Sequence, residues 1–127
     1  MDVTPLVRKG QHIIQSYAGG VFKVSGESYE HAIILSSDHI EPWDVGEITD
    51  VSDLNIGHFK VLAENSDDID VVLLGCGRNM AILPVALRRE LKSAGLSVDS
   101  MDTGAACRTY NVLMAEGRRV SVALLPG

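Results

Sequence analysis

The sequence predicts an α/β domain whose C-terminal half runs β-α-β-α-β. Three observations predict it. The apolar run Val71-Val72-Leu73-Leu74 is followed by a glycine-containing loop and a helical apolar stripe. A second extended segment ends at Met101 in the capping residues Asp102 and Thr103. A final apolar run, Val120 to Leu125, follows the helix-stopping Gly117.

The first half reads differently. Residues 11–48 have β character. Ile13 and Ile14 form a short apolar segment. Val21-Phe22-Lys23-Val24 then meets the turn Ser25-Gly26-Glu27-Ser28, and Tyr29 to Leu35 supplies the returning strand of a hairpin. Ile33-Ile34-Leu35 is apolar on successive residues, which fits a strand covered on both faces. Pro42 and Trp43 open another extended piece, and Pro42 favours an edge position. Residues 49–66 switch to helical chemistry, with Thr49, Asp50 and Ser52 as N-caps. Leu54, Phe59, Leu62 and Ala63 form an imperfect stripe that Gly57 weakens, and Asn65-Ser66-Asp67-Asp68 stops it. That acidic run reads as a solvated turn, because it lacks the ligand spacing and closing glutamate of a calcium loop.

From Asp70 onward the pattern is regular. Val71 to Leu74 is a buried strand and Gly75-Cys76-Gly77-Arg78-Asn79 a loop. Pro84 fits the first turn of a helix, whose stripe is Leu83, Leu87, Leu91 and Ala94, with Arg88, Arg89 and Lys92 facing away. Gly95 ends it. Leu96 to Met101 is the next strand. Asp102 or Thr103 caps a second helix with the stripe Ala106, Tyr110 and Leu113. Short connections and right-handed crossovers make the three strands parallel and start both helices at one sheet edge. Gly75–Asn79 and Asp102–Cys107 are therefore expected side by side, with the first-half hairpin and helix covering what remains.

Composition bounds the function. A chain of 127 residues is a single domain, 1–127, with 46% apolar and 22% charged residues. A net charge of -6 argues against nucleic acid. No apolar run approaches the roughly 20 residues of a membrane span, so no transmembrane segment is expected. Met1-Asp2-Val3-Thr4-Pro5 lacks a secretory pattern, which leads to a cytoplasmic expectation. Cys76 and Cys107 form no CxxC, and His12, His31, His39 and His58 form no ligand pair, so no metal is expected.

Each candidate site residue has a chemical reason and a plain alternative. Gly75-x-Gly77 after a strand matches the start of a dinucleotide fingerprint, but Met80 replaces the third glycine. The loop to Pro84 is also too long, so no nicotinamide cofactor is expected. The glycines then serve a tight turn. A small anion fits better, held by N–H groups at Arg78 and Thr103 and by the charges of Arg78 and Arg108. The alternative pairs those arginines with Asp99, Asp102 or Glu116. Cys107, early in a helix beside Arg108, has two features that favour a thiolate. The alternative buries it on a Cys107–Tyr110–Met114 face, and no base is at hand to assign it a catalytic role. A Cys76–Cys107 redox pair across the sheet edge is a third reading. Gly104-Ala105-Ala106 fits close packing of the helix start, Tyr110 a core position with its hydroxyl partnered, and Thr109 and Asn111 specific hydrogen bonds. Pro42-Trp43 reads as an anchor of the β layer or as an interaction hot spot.

The strings Leu73-Leu74-Gly75-Cys76-Gly77, Leu83-Pro84, Met101-Asp102-Thr103-Gly104-Ala105-Ala106-Cys107-Arg108-Thr109-Tyr110-Asn111, Glu116-Gly117-Arg118 and Ala123-Leu124-Leu125-Pro126 resemble the MTH nine-three-eight-like domain family. That family includes the mitochondrial respiratory complex I assembly factor 3. The resemblance implies a three-layer α/β fold with a central, mostly parallel sheet and an additional small β layer from the N-terminal half. It carries over no catalytic residue and no cofactor. It implies a non-enzymatic protein-binding or assembly module, with respiratory-complex subunits as partners; an exposed strand edge would permit a homodimer as well as a monomer. The binding cleft expected from the pattern comprises Gly75, Cys76, Gly77, Arg78, Asn79, Asp102, Thr103, Gly104, Cys107, Arg108, Tyr110 and Asn111. The competing expectation is a small-anion-binding or thiol-dependent enzyme or sensor using Cys107 with Arg78 and Arg108.

Overall fold

The computed structural model describes residues 12–48 and 50–126. Thr49 and Met1 to Pro5 lie outside the described residues. The strands are β1 (Ile14–Ala18), β2 (Val21–Val24), β3 (Glu27–Tyr29), β4 (Ile33–Ser36), β5 (His39–Pro42), β6 (Val71–Cys76), β7 (Val98–Met101) and β8 (Val120–Leu125). The α-helices are α1 (Lys60–Glu64), α2 (Val85–Ser93) and α3 (Thr103–Ala115).

β1, β2 and β3 form an antiparallel sheet of their own, and the other five strands form a second sheet in the order β5-β4-β8-β6-β7. β6 pairs parallel with both β7 and β8, while β4 joins β8 and β5 antiparallel. The expected β-α-β-α-β unit is present, and its topology fixes the layers. β6 connects through α2 to β7 on one side, and β7 connects back through α3 to β8 on the other. Right-handed crossovers in opposite directions place their helices on opposite faces.

The burial pattern agrees. On one face Val72, Leu74, Ile34 and Ala123 pack against Leu87 and Leu91 of α2, Leu62 of α1 and Phe59. On the other, Leu73, Val122, Leu124, Ile33 and Leu35 pack against Ala106, Tyr110 and Met114 of α3 and against Ile14, Phe22 and Val24 of the small sheet. The small sheet thus lies beside α3 in the same layer. Strands β4, β6 and β8 are apolar on both faces because both faces are covered.

Four first-half expectations are corrected. The segment Tyr29 to Leu35 is not one strand: it ends at Tyr29 in the small sheet and restarts at Ile33 in the large one. Two faces need two sheets, and Glu30-His31-Ala32 is the step between them. The hairpin turn is only Ser25-Gly26, at φ of 49° and 88°, a pair that twists with the strands it joins. Pro42 closes β5 at the sheet edge, where its missing N–H is harmless, instead of opening a strand. Trp43 is buried in the helical layer, not in the β layer. Its ring meets Phe59 edge-on at 5.6 Å and its Nε1–H donates to His58 O at 2.7 Å.

The helical region 49–66 also breaks up. Asp50 caps a 3-10 turn at Val51–Asp53, and Asn55 caps another at Ile56–Phe59. Only α1 is α-helical. Asn65 ends it, and Ser66–Asp68 forms a further 3-10 turn. Short turns suffice because Val51, Leu54, Phe59 and Leu62 each reach the core singly.

The second half holds with small shifts. β6 runs on through Gly75 and Cys76, which belong to the strand and not to the loop. Pro84 sits at the N-cap of α2, one residue before its first turn. β7 is shorter than Leu96–Met101. Asp102, not Thr103, is the N-cap of α3, its carboxylate accepting from Ala105 N–H at 2.9 Å.

Asn111 holds the small sheet to α3. Its Oδ1 accepts from Ile14 N–H at 3.0 Å and its Nδ2 donates to Ile14 O at 2.8 Å, so one amide satisfies both backbone groups of a β1 residue. Replacing Asn111 by Ala leaves both without that partner. The expected cost is about 2 kcal/mol by urea denaturation, with amide exchange accelerating in β1–β3 before the large sheet. Uniform acceleration across both sheets would show that Asn111 does not fasten the small one.

Candidate functional site

The loops after β6 and β7 leave toward opposite faces, so the crevice between these strand ends is where an open α/β sheet generally receives a ligand. Gly75–Asn79 and Asp102–Thr103 meet there, as the pattern predicts. The meeting is a closed joint. Gly77 N–H donates to Thr103 Oγ1 at 2.8 Å, Thr103 N–H donates to Gly77 O at 2.8 Å, and the Thr103 hydroxyl donates to Leu125 O at 2.6 Å. Thr103 is fully buried. One hydroxyl therefore ties the ends of β6 and β8 to the start of α3.

The two glycines have different reasons. Gly77 has φ of 93°, which side-chain-bearing residues rarely adopt. Gly75 lies in a strand, where its need is space. A Cβ there would come within 2.8 Å of Leu124 Cδ2 and 2.9 Å of Thr103 Oγ1. Its expected role in a turn is thus corrected to clearance for the joint.

Other predicted residues separate from the crevice. Cys76 points into the layer under α2, where its thiol faces Ala81 O at 3.7 Å and Leu74 O at 3.8 Å. Cys107 belongs to the core on the opposite face. The sheet lies between the two thiols, which overturns the redox-pair reading. Burial pushes the Cys76 thiol up and raises Cys107 to about 12, outweighing the charge of Arg108. This corrects the thiolate expectation for Cys107: desolvation dominates, and the side chain is a small core residue. Tyr110 is fully buried, its hydroxyl donating to His12 O at 3.0 Å, and burial raises its pKa. Tyr110 and Asn111 face the small sheet, leaving the crevice to others.

Arg78 and Arg108 are exposed, and among the described residues neither has an ion-pair partner. The expected pairings with Asp99, Asp102 and Glu116 are absent there. Arg108 leans back along α3: its Nη1 would lie 3.4 Å from a Cβ on Gly104. Of the N–H groups expected to hold an anion, that of Thr103 is engaged by Gly77 O, and the neighbouring N–H groups of Gly77 and Ala105 are engaged as well. No group of three or more His, Cys, Asp or Glu side chains among the described residues could hold a metal ion.

Sequence reading missed two features. At the other end of the sheet a cleft of about 690 Å³ is lined by residues including His39, Glu41, Arg118, Arg119 and Ser121. Arg119 is fixed there by Asp70 at 2.9 Å, and its guanidinium holds the Asp70 carboxyl below its usual range. Glu41 Oε1 is buried without a hydrogen bond, 3.4 Å from His39 Nε2. These residues are far apart in sequence, and only strand register assembles them. The second feature is the exposure of Met80, Ile82 and Val85 at the approach to α2. Continuous apolarity from Met80 to Leu83 was the available signal.

A two-sheet α/β domain with a joint closed by threonine is the class these observations define. The model of a protein family of unknown function, DUF498/DUF598, matches residues 14–125, and this chain belongs to that family. An uncharacterised protein of Rhodobacter capsulatus is 34% identical over 113 residues, which cover 89% of this chain and 83% of that one. The NADH dehydrogenase [ubiquinone] 1 alpha subcomplex assembly factor 3 of Danio rerio is 32% identical, with 90% of this chain and 64% of that protein covered. The Mth938-like domain of a Bordetella pertussis protein superposes with a TM-score of 0.79 at 28% identity, covering 99% and 92% of the two chains. The family resemblance read from the sequence is thereby confirmed.

Two outcomes follow. Thr103→Val leaves Gly77 N–H and Leu125 O unpaired in a buried site, an expected loss of about 3 kcal/mol in urea denaturation. Thr103→Ser, which keeps the hydroxyl, restores most of it. Wild-type stability in Thr103→Val would show that the hydroxyl does not hold the joint. Native Cys107 should resist iodoacetamide at neutral pH and react on unfolding. Its folded pKa lies above the ordinary 9.0, so the unfolded chain ionises first. The associated stability is complete below about pH 9 and is lost as pH climbs toward 12. Rapid native alkylation of Cys107 would contradict its burial.

Proposed function

We propose that this chain is a non-enzymatic binding module that assists assembly of respiratory complex I, docking an acidic protein surface across the β6–β7 crevice. The observation that carries the site is the pair Arg78 and Arg108. Both are exposed without ion-pair partners among the described residues, and they flank a joint whose own polar groups are spent internally. Val112, one turn beyond Arg108 on α3, is 52% exposed and adds apolar contact area. Arginine beside exposed apolar side chains suits protein recognition, because its planar guanidinium engages carboxylates in a fixed geometry. Kinship with the complex I assembly factors supports the partner class; this chain spans about two thirds of the zebrafish factor's length.

Burial of both thiols favours binding over a thiol-dependent reaction. The test is co-purification with respiratory complex I subunits from cells that make the protein. Arg108→Glu should reduce capture of those subunits about tenfold, since charge reversal turns attraction into repulsion. Its melting temperature should move by only about 2 °C, because the side chain is exposed. Unchanged capture, or no complex I subunit captured by the unaltered chain, refutes the proposal.

A further inference from the structure

Between β6 and α2 the chain runs extended, and its side chains alternate. Ala81 and Leu83 turn inward onto the core under α2, so Met80 and Ile82 turn outward, 63% and 71% exposed. Val85, 53% exposed, begins α2 on the same outer side. The helix continues that surface by its own period: Leu87 and Leu91 face the core, which leaves Val85, Arg88, Arg89 and Lys92 together on the opposite stripe. Pro84 and Ala86 between them are exposed as well.

Charge on this surface is the reverse of the whole chain. Residues 78–93 carry Arg78, Arg88, Arg89 and Lys92 against Glu90 alone, in a protein of net charge -6. Three large apolar side chains within six residues, bordered by four cations on long stems, form an amphipathic crest. This crest belongs to the helical layer, whereas Arg108 and Val112 lie on α3 across the sheet.

We propose that this crest docks on an anionic lipid bilayer. Met80, Ile82 and Val85 enter the boundary between headgroups and acyl chains, while Arg78, Arg88, Arg89 and Lys92 meet the lipid phosphates. A bilayer supplies both requirements at once, hydrocarbon and a plane of negative charge. The acidic remainder of the chain is repelled by the same surface, which orients the molecule crest-first. No helix among the described residues is long and apolar enough to span a membrane, so docking is peripheral.

The experiment is sedimentation with phosphatidylcholine vesicles, plain or containing roughly one-third phosphatidylglycerol. Binding is expected to the anionic vesicles only. The double variant Ile82→Asp, Val85→Asp and the double variant Arg88→Glu, Arg89→Glu should each weaken it at least about tenfold. Both alter exposed side chains, and circular dichroism confirms that they fold. Arg108→Glu should leave vesicle binding unchanged, which separates this surface from the protein-docking reading. Equal binding to neutral vesicles, no binding to either, or full binding by either double variant overturns the proposal. Crosslinking of Ile82 to a protein subunit, with no vesicle binding, would reassign the crest to a protein partner.

Discussion

The Thr103 hydroxyl is the interaction on which the arrangement of this molecule depends. It accepts from Gly77 and donates to Leu125 while its own backbone N–H binds Gly77 O. Three chain segments that meet at one end of the sheet are closed by one side chain. Buried backbone groups at strand ends need partners, and no water need enter if a hydroxyl supplies both donor and acceptor. Gly75 is the complement of this choice, since a methyl group there would collide with the same threonine oxygen. The joint thus spends the N–H groups of Gly77 and Thr103 at the strand ends on holding the fold.

Handedness does the remaining sorting. Because β6 is central to the parallel unit, its two crossovers diverge and put α2 and α3 on opposite faces. α3 covers only part of its face, and the small sheet fills the area over β4 with Ile14, Phe22 and Val24. Asn111 fastens that sheet through both backbone groups of Ile14. The opposite face is covered by α2 and by short turns that each deliver one or two side chains. Such turns present little continuous helix, which agrees with the alternation of exposed and buried residues through Val51–Asp68.

Function follows from what is left outside. Thiols and the tyrosine hydroxyl, the groups with nucleophilic chemistry near α3, are buried, with ionisation suppressed by desolvation. Charge and apolarity meet at the surface on α3 around Arg108 and Val112 and on the α2 layer around Ile82 and Arg89, and charge also lines the cleft around His39 and Arg119. The proposed binding role rests on surfaces of that kind and on kinship with the complex I assembly factors.

The sequence by itself determined the β-α-β-α-β order, a cap at Asp102 or Thr103, the helix end at Gly95, the doubly covered strand at Ile33–Leu35 and the meeting of Gly75–Asn79 with Asp102–Cys107. Each of these rests on period, on turn chemistry or on the handedness of crossovers, which are properties of the local chain. The tertiary structure alone decided that Tyr29 and Leu35 belong to different sheets, that Cys76 and Cys107 lie on opposite faces, and that Asn111 grips Ile14. It also decided that the cleft around Ser121 gathers residues from β4, β5 and β8. Periodicity reports that a side chain is buried but not by which neighbour. That identity depends on strand register and on which face a crossover takes, and both are set by contacts between segments far apart in the chain.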